Sequence, residues 1–359
     1  MATTQIAVDR YAPASLRQNL EKKHIPSLDG LRGVSAFSVA LAHASGLARW
    51  MPADYAVVLF FEISGLLITW LLLSEQTSSG SIDRVSFIKR RTLRLFPAFY
   101  VCWLLSWLVP GAPGRWWSFS YMMDFYKSFS GVPGSEVDVM GMAWSLGIEE
   151  KYYLIWPTLL KRFDRGSLLK ALLILFGCVQ VYHVIVNKLG HVMWAAWNFD
   201  TRIDAILLGS SLAIAIKLGW LPPRLLLHPA SLLASVAAVL LFSGVTWVHR
   251  LSYGVLLAAY PLAIILISVI ARPPRILNNK VAFFFGKISY SLYLYNPIVV
   301  YFVGRISFLT YSWRTAISVL ASILAATLSY YFIERPFLRL KDRFHRDSGP
   351  PGGLLTATN

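Results

Sequence analysis

Apolar residues gather in blocks close to the length of a bilayer crossing, at 30–49, 55–74, 95–110, 142–160, 167–187, 199–216, 230–248, 252–271, 282–304 and 313–333. A helix rises 1.5 Å per residue and the hydrocarbon core is about 30 Å thick, so each block of this size predicts a spanning helix. The third and fourth are the least regular: Pro97 and Pro110 bound one, and charges interrupt the other. The pattern predicts an all-α fold, a polytopic membrane bundle of about ten transmembrane helices. Around it we expect an N-terminal segment over 1–26, a membrane domain over 27–340 and a disordered, Gly/Pro-rich tail over 341–359. The first two dozen residues show no cleavable signal, and no second domain is expected after the tail.

Composition agrees. Hydrophobic residues make up 56% of the 359 positions and charged residues only 14%, against about 25% charged in soluble domains. The net charge of +16 invites a nucleic-acid reading until its placement is followed along the chain. With ten spans, the termini and alternate loops share one side. That side collects 24 of the 34 basic residues, the opposite side seven, and Arg32, Lys151 and Arg202 fall inside spans. The positive-inside rule puts both termini in the cytoplasm and a long 111–141 loop outside. The excess charge is a topology signal, and no nucleic-acid partner is implied. Cys102 and Cys178 both lie in apolar spans, which argues against a structural disulfide. There is no CxxC, no P-loop, no internal repeat and no cluster with metal-ligand spacing.

Polar groups inside the spans carry the chemistry. A charge at the bilayer centre costs about 2.5–3.5 kcal/mol on insertion scales, yet Glu62, Glu149, Glu150, Lys151, Arg202 and Asp204 lie in or near spans. A shared internal cavity would account for them together. His43 stands out. Its helix begins near Ser27 or Asp29, either of which can cap it, and Arg32 lies eleven residues before it. Eleven residues return to within about 20° of the same helix face, roughly 16 Å further along. By depth, His43, Glu62, Glu149, Arg202, Asp204 and Asn296 fall toward the outer half. Arg91 and Arg94 lie at the cytoplasmic edge and share a face at i,i+3. Two sites are expected: a cationic pocket inside and an acid/base cluster toward the outside.

Five stretches then stand in a telling order: Leu28-Asp29-Gly30-Leu31-Arg32-Gly33 with His43; Phe60-Phe61-Glu62-Ile63-Ser64-Gly65; Arg91-Thr92-Leu93-Arg94-Leu95-Phe96-Pro97; Trp144-Ser145-Leu146-Gly147-Ile148-Glu149 with Tyr152-Tyr153; and Ile288-Ser289-Tyr290-Ser291-Leu292-Tyr293-Leu294 with Glu334-Arg335-Pro336. Together they resemble the acyltransferase-3 family of integral-membrane O-acyltransferases. The resemblance implies transfer of an acyl group, usually acetyl, from a cytoplasmic donor such as acetyl-CoA to a hydroxyl of an envelope or extracellular glycan, in a bacterial inner membrane. It implies that His43 is essential and that Arg91 and Arg94 serve the donor. The chain departs from the family pattern at Glu62, usually apolar, at Lys151, usually Gln, and at Asn296, usually His, so Asn296 is given only a hydrogen-bonding role. Partners implied are the bilayer, acyl-CoA as a donor substrate and a glycan or glycolipid acceptor, with no bound cofactor. Oligomeric state is not legible.

Residue chemistry points the same way. A sugar hydroxyl is a poor nucleophile near pH 7 and gains from a positioned base, a task that suits imidazole. Glu149 or Asp204 can orient that imidazole, as the acid does in a catalytic triad. The expected assignment is His43 and Glu149 as catalytic, Arg91, Arg94 and Arg32 as donor-binding, and Asp204, Arg202, Glu62 and Asn296 as supporting. Direct transfer and an acyl-histidine intermediate are both compatible with it. The rival classes are a proton-coupled transporter, which should show repeated halves or paired broken helices, and a non-catalytic envelope component, which gives no reason for an arginine pair aligned with a deeper base.

Overall fold

In the computed structural model the described residues are 14–22, 25–46, 53–130, 138–219, 226–243 and 255–346, and among them there is no β-strand. Every apolar block carries a helix. These are α2 (Pro26–Ala44), α3 (Ala53–Ser79), α4 (Arg84–Leu105), α7 (Ala143–Arg162), α8 (Arg165–Lys188), α11 (Asp204–Leu218), α12 (Pro229–Ser243), α13 (Val255–Ala271), α14 (Lys280–Gly304) and α15 (Tyr311–Ser329), with α1 (Ala14–Glu21) ahead of them and α16 (Arg335–Arg346) behind. Three continuous helical stretches among the described residues are long and apolar enough to cross a membrane by length and composition: α3, α8 and Tyr311–Leu340. α12 and α13 are apolar but shorter. The fold is all-helical and suited to a membrane.

Several boundaries differ from the hydrophobic pattern for identifiable reasons. Helix α4 starts eleven residues before its apolar block, because Asp83 caps it, accepting from the Ser86 N–H at 3.1 Å and hydroxyl at 2.6 Å. The basic run Arg84–Arg94 is thus helical. The short α9 (Val192–Trp197) follows α8, and the 199–216 block is broken into α10 (Phe199–Arg202) and α11. The 111–141 connection carries two short helices, α5 (Arg115–Phe119) and α6 (Met123–Ser130). The N-terminal segment contains α1, whose Leu16 and Leu20 are buried and whose Asn19 donates to the Ile270 carbonyl at 2.7 Å. The tail was expected to be unstructured from 341, but α16 continues to Arg346; residues 347–359 lie outside the described residues.

Two helix seams set the frame of the site. In the first, α2 and α14 run parallel: Gly33 meets Gly286 and His43 meets Asn296, each pair 253 positions apart. A Cβ on Gly30 would lie 2.2 Å from the Leu277 carbonyl oxygen, and one on Gly286 2.4 Å from that of Asp29. Only glycine permits this approach. In the second, α3 and α11 pack where a Cβ on Gly65 would lie 2.2 Å from the Ile206 carbonyl oxygen and one on Gly209 the same distance from that of Glu62. Tyr152 of α7 joins α3 and α11 through hydroxyl contacts to Thr69 (3.2 Å) and Ser210 (2.7 Å). Helix α15 passes through a π-helical turn, Tyr330–Glu334, into α16. That turn buries Glu334, which accepts from the Ser291 hydroxyl at 2.5 Å.

Candidate functional site

A cleft opens among α2, α3, α4, α7 and α14. Each helix offers one face to it. Phe60, Ser64, Leu67 and Leu71 recur at helical spacing along α3; Ser145, Glu149 and Tyr153 do so along α7; Arg91 and Arg94 along α4; Arg32 comes from α2 and Tyr290 and Tyr293 from α14. Three arginines and one carboxylate leave the cleft net positive within mostly apolar walls. The Ser64 hydroxyl donates to Glu149 Oε1 at 2.7 Å and lies 3.0 Å from the Tyr153 hydroxyl. The Arg91 guanidinium lies 5.4 Å from the ring centre of Tyr153 and 5.7 Å from that of Phe87, which restricts its swing without neutralising it. Arg32 lies 4.0 Å from Asp29 one turn earlier. Such fixed, planar cations suit phosphate groups.

His43 sits near the far end of α2, about three turns beyond Arg32. Its Nδ1 lies 3.0 Å from Asn296 Oδ1. The Asn296 amide is held in place: its Nδ2 donates to the Ala40 carbonyl at 3.3 Å and contacts the Ser322 hydroxyl at 3.1 Å. A backbone carbonyl only accepts, so the NH2 end of the amide faces Ala40 and the oxygen faces the imidazole. This network assigns the proton to Nδ1 and leaves the Nε2 lone pair available.

The remaining predicted residues do not share one cavity with these. Glu149 lies among the arginines rather than at the imidazole, and Asn296, not Glu149 or Asp204, is the hydrogen-bonding side chain at His43. Asp204 opens α11, accepting from Gln180 Nε2 and from the Ala205 N–H, both at 2.8 Å. The Arg202 guanidinium stacks 5.6 Å from a ring centre of Trp144. Glu62 is fully buried against α11, and neither of its carboxylate oxygens has a hydrogen-bond partner among the described residues. Lys151 pairs with Asp124 of α6 at 2.8 Å and donates to the Tyr121 carbonyl at 3.2 Å, so it ties α7 to the 111–141 segment. The expected common cavity therefore resolves into an arginine cleft, a His43–Asn296 pair and a polar α3–α8–α11 contact. The reason is direction: side chains at similar depth on different helix faces do not meet.

Sequence reasoning did not single out Ser64, Tyr153 or Tyr293. All three were legible as polar positions within the quoted motifs, Ser64 and Tyr153 at helical spacing from Phe60 and Glu149. Among the described residues there is no group of three or more His, Cys, Asp or Glu side chains placed to hold a metal.

A family model described as an acyltransferase domain (Acyl_transf_3) matches residues 25–334. The O-acetyltransferase OatA of Staphylococcus aureus is 29% identical over 369 aligned positions, which cover 89% of this chain and 58% of OatA. A Bacillus subtilis protein named "Putative peptidoglycan O-acetyltransferase YrhL" is 29% identical over 355 positions, covering 88% of this chain and 55% of its own length. The chain thus spans a little over half the length of these curated relatives. No solved structure matches it significantly.

Proposed function

We propose, for a chain that belongs to the acyltransferase family whose domain it carries, that it is a membrane O-acyltransferase moving an acyl group, acetyl first among them, from cytoplasmic acyl-CoA to a hydroxyl of an envelope or extracellular glycan. The observation that carries this reading is one helix joining two unlike sites: α2 places Arg32 in the arginine cleft and His43, held by Asn296, about 16 Å further on. Arg91 and Arg94 hold the phosphates of the donor at the basic end. The pantetheine arm then extends along α2 and brings the thioester to the imidazole. Glu149, anchored by Ser64, serves the donor end by orienting the cations around it.

At the other level His43 Nε2 takes the proton of the acceptor hydroxyl as its oxygen attacks the thioester carbonyl. A C–O bond forms, the C–S bond breaks, and the thiolate leaving with the donor receives the proton from the imidazolium. The name of the Bacillus subtilis relative makes peptidoglycan the first acceptor to try.

Purified protein in liposomes, given radiolabelled acetyl-CoA and a soluble peptidoglycan fragment, tests the reading. Wild type should label the acceptor. His43→Ala should insert normally and lose activity by about 10²–10⁴-fold, the contribution of general base catalysis. Retention of more than about a tenth of the activity would remove His43 from the reaction. Label left on His43 in the absence of acceptor would replace the base role with an acyl-histidine one.

A further inference from the structure

The arginine cleft changes character along its length. Its lining on α3 runs from Leu71 to Val57, about 21 Å of helix. Beyond the Ser64–Glu149 contact the walls include Val57 and Phe60 of α3, Ser145 and Leu146 of α7, and Tyr293 of α14. Among the described residues no charged side chain lines this part. Three helices close it. Tyr293 reaches from α14 to the start of α7, where its hydroxyl lies 2.9 Å from that of Ser145. Both hydroxyls are within hydrogen-bonding distance of the Met142 carbonyl, at 3.3 Å and 3.1 Å. From α3, the Phe60 ring centre comes 6.3 Å from that of Tyr293. Phe60 packs in turn on the cluster that Ala36 and Ala40 of α2 form with Leu292 of α14. A phenol held at its hydroxyl and backed by a packed ring keeps one rotamer, so this wall is fixed rather than adaptable.

The wall stands next to the reacting level. Asn296, which holds His43, follows Tyr293 by three residues on α14, about 4.5 Å further along the helix. A thioester drawn up to this wall has its carbonyl within one helical turn of the imidazole and its acyl end against the two rings. The space there is apolar, and its two hydroxyls are already paired with each other. It suits a methyl group. A longer chain would have to push Tyr293 or Phe60 out of place, and overpacking a closed apolar site is unfavourable.

We propose that the ring of Tyr293, locked by Ser145 and backed by Phe60, is the specificity-determining wall that sets the length of the transferred acyl group, admitting acetyl and rejecting butyryl and longer chains. The inference rests on the reading of the cleft as the acyl-CoA site. It gives the outer, uncharged end of that cleft a task separate from the phosphate-holding end, and it assigns acyl length to a contact between α3, α7 and α14.

Purified protein in liposomes, given a soluble peptidoglycan fragment and either acetyl-CoA or butyryl-CoA, tests this through the ratio of the two kcat/KM values, with the Kd of each donor measured alongside. One methylene in an apolar pocket is worth about 10–200-fold, so two should give wild type a preference for acetyl of about 100-fold or more. Tyr293→Ala should cut that preference by about 10-fold or more, the share of one methylene. Tyr293→Phe keeps the ring and should keep the preference. A tyrosine with a purely structural role would, when removed, lower activity with both donors alike and leave the ratio where it was; that result overturns the proposal. So does a wild type that uses butyryl-CoA as well as acetyl-CoA. Loss of preference in Tyr293→Phe as complete as in Tyr293→Ala would shift the selection from the ring to its hydroxyl and overturn the wall. Should Tyr293→Ala fail to fold, Phe60→Leu, which shortens the facing side chain, decides alone by the same ratio. The binding measurements separate the two levels of failure. Binding of neither donor to wild type rejects the donor reading and this inference together, whereas binding with unaltered ratios in the variants rejects this inference only.

Discussion

The Arg32 level and the His43 level of α2 are built on opposite plans. At the first, three arginines face a cleft with one carboxylate among them, and aromatic rings rather than acids restrain the Arg91 cation. Charge there is left available for a ligand. At the second, the functional ring is tied by Asn296, and Asn296 is tied in turn by Ala40 and Ser322. Orientation there is spent on a single nitrogen. A net positive, partly open cleft suits binding, while a side chain with a fixed tautomer suits proton transfer, and one glycine-lined seam holds both in register.

That seam is where the comparison can be broken outright. Gly286→Val or Gly33→Leu would drive side-chain atoms into the facing backbone, since a Cβ at Gly33 already meets the Gly286 nitrogen at 2.8 Å. Overpacking of side chains costs about 1–3 kcal/mol, and collision with backbone should exceed it. Expected is loss of monodisperse protein on gel filtration in detergent, while Gly177→Ala, with nothing within 4 Å, should behave as wild type.

A smaller change separates the levels. Asn296→Ala should lower kcat by about 10–100-fold, because a misplaced base loses its near-attack geometry, and should leave donor KM as it was. Steady-state kinetics at saturating donor checks this; a rise in donor KM with normal kcat would place Asn296 at the wrong level. Conversely, Arg91→Ala and Arg94→Ala should each raise donor KM by about 10-fold, the worth of a charge-assisted hydrogen bond. Arg→Lys should restore only part of it, since the planar fork is lost. Unchanged donor saturation in both alanine variants would leave these arginines as anchors at the membrane edge.

The smallest expected effect concerns how the arginines are carried. Asp83 caps α4, and the Ser86 hydroxyl and N–H hold its carboxyl below the ordinary range. A carboxyl held low contributes stability that is full at neutral pH and is lost as pH falls through its lowered value. Asp83→Ala should therefore cost about 1 kcal/mol near pH 7, and the difference from wild type in thermal unfolding should shrink in acid. A difference that persisted in acid would remove the carboxylate from the cap.

Much of this was legible along the chain. Runs of some twenty apolar residues determine helices, because a backbone in lipid must satisfy its own hydrogen bonds. The Arg32–His43 interval determines a shared face and a separation, because both residues belong to one rigid helix. The Arg91–Arg94 spacing does the same. What one helix contains, its sequence states. What faces it from another helix was settled only by the tertiary structure. Glu149 has a depth compatible with His43 but points into the arginine cleft, because Ser64 stands opposite it on α3. Asn296, 253 positions from His43, becomes its neighbour only because Gly33 and Gly286 let two parallel backbones touch. Lys127 of α6 and Asp138, which lies outside any helix, pair at 3.1 Å through the fold of the chain between α6 and α7 rather than through a shared helix face. Depth along a helix is local and additive, whereas the direction of approach between helices depends on every close contact at once.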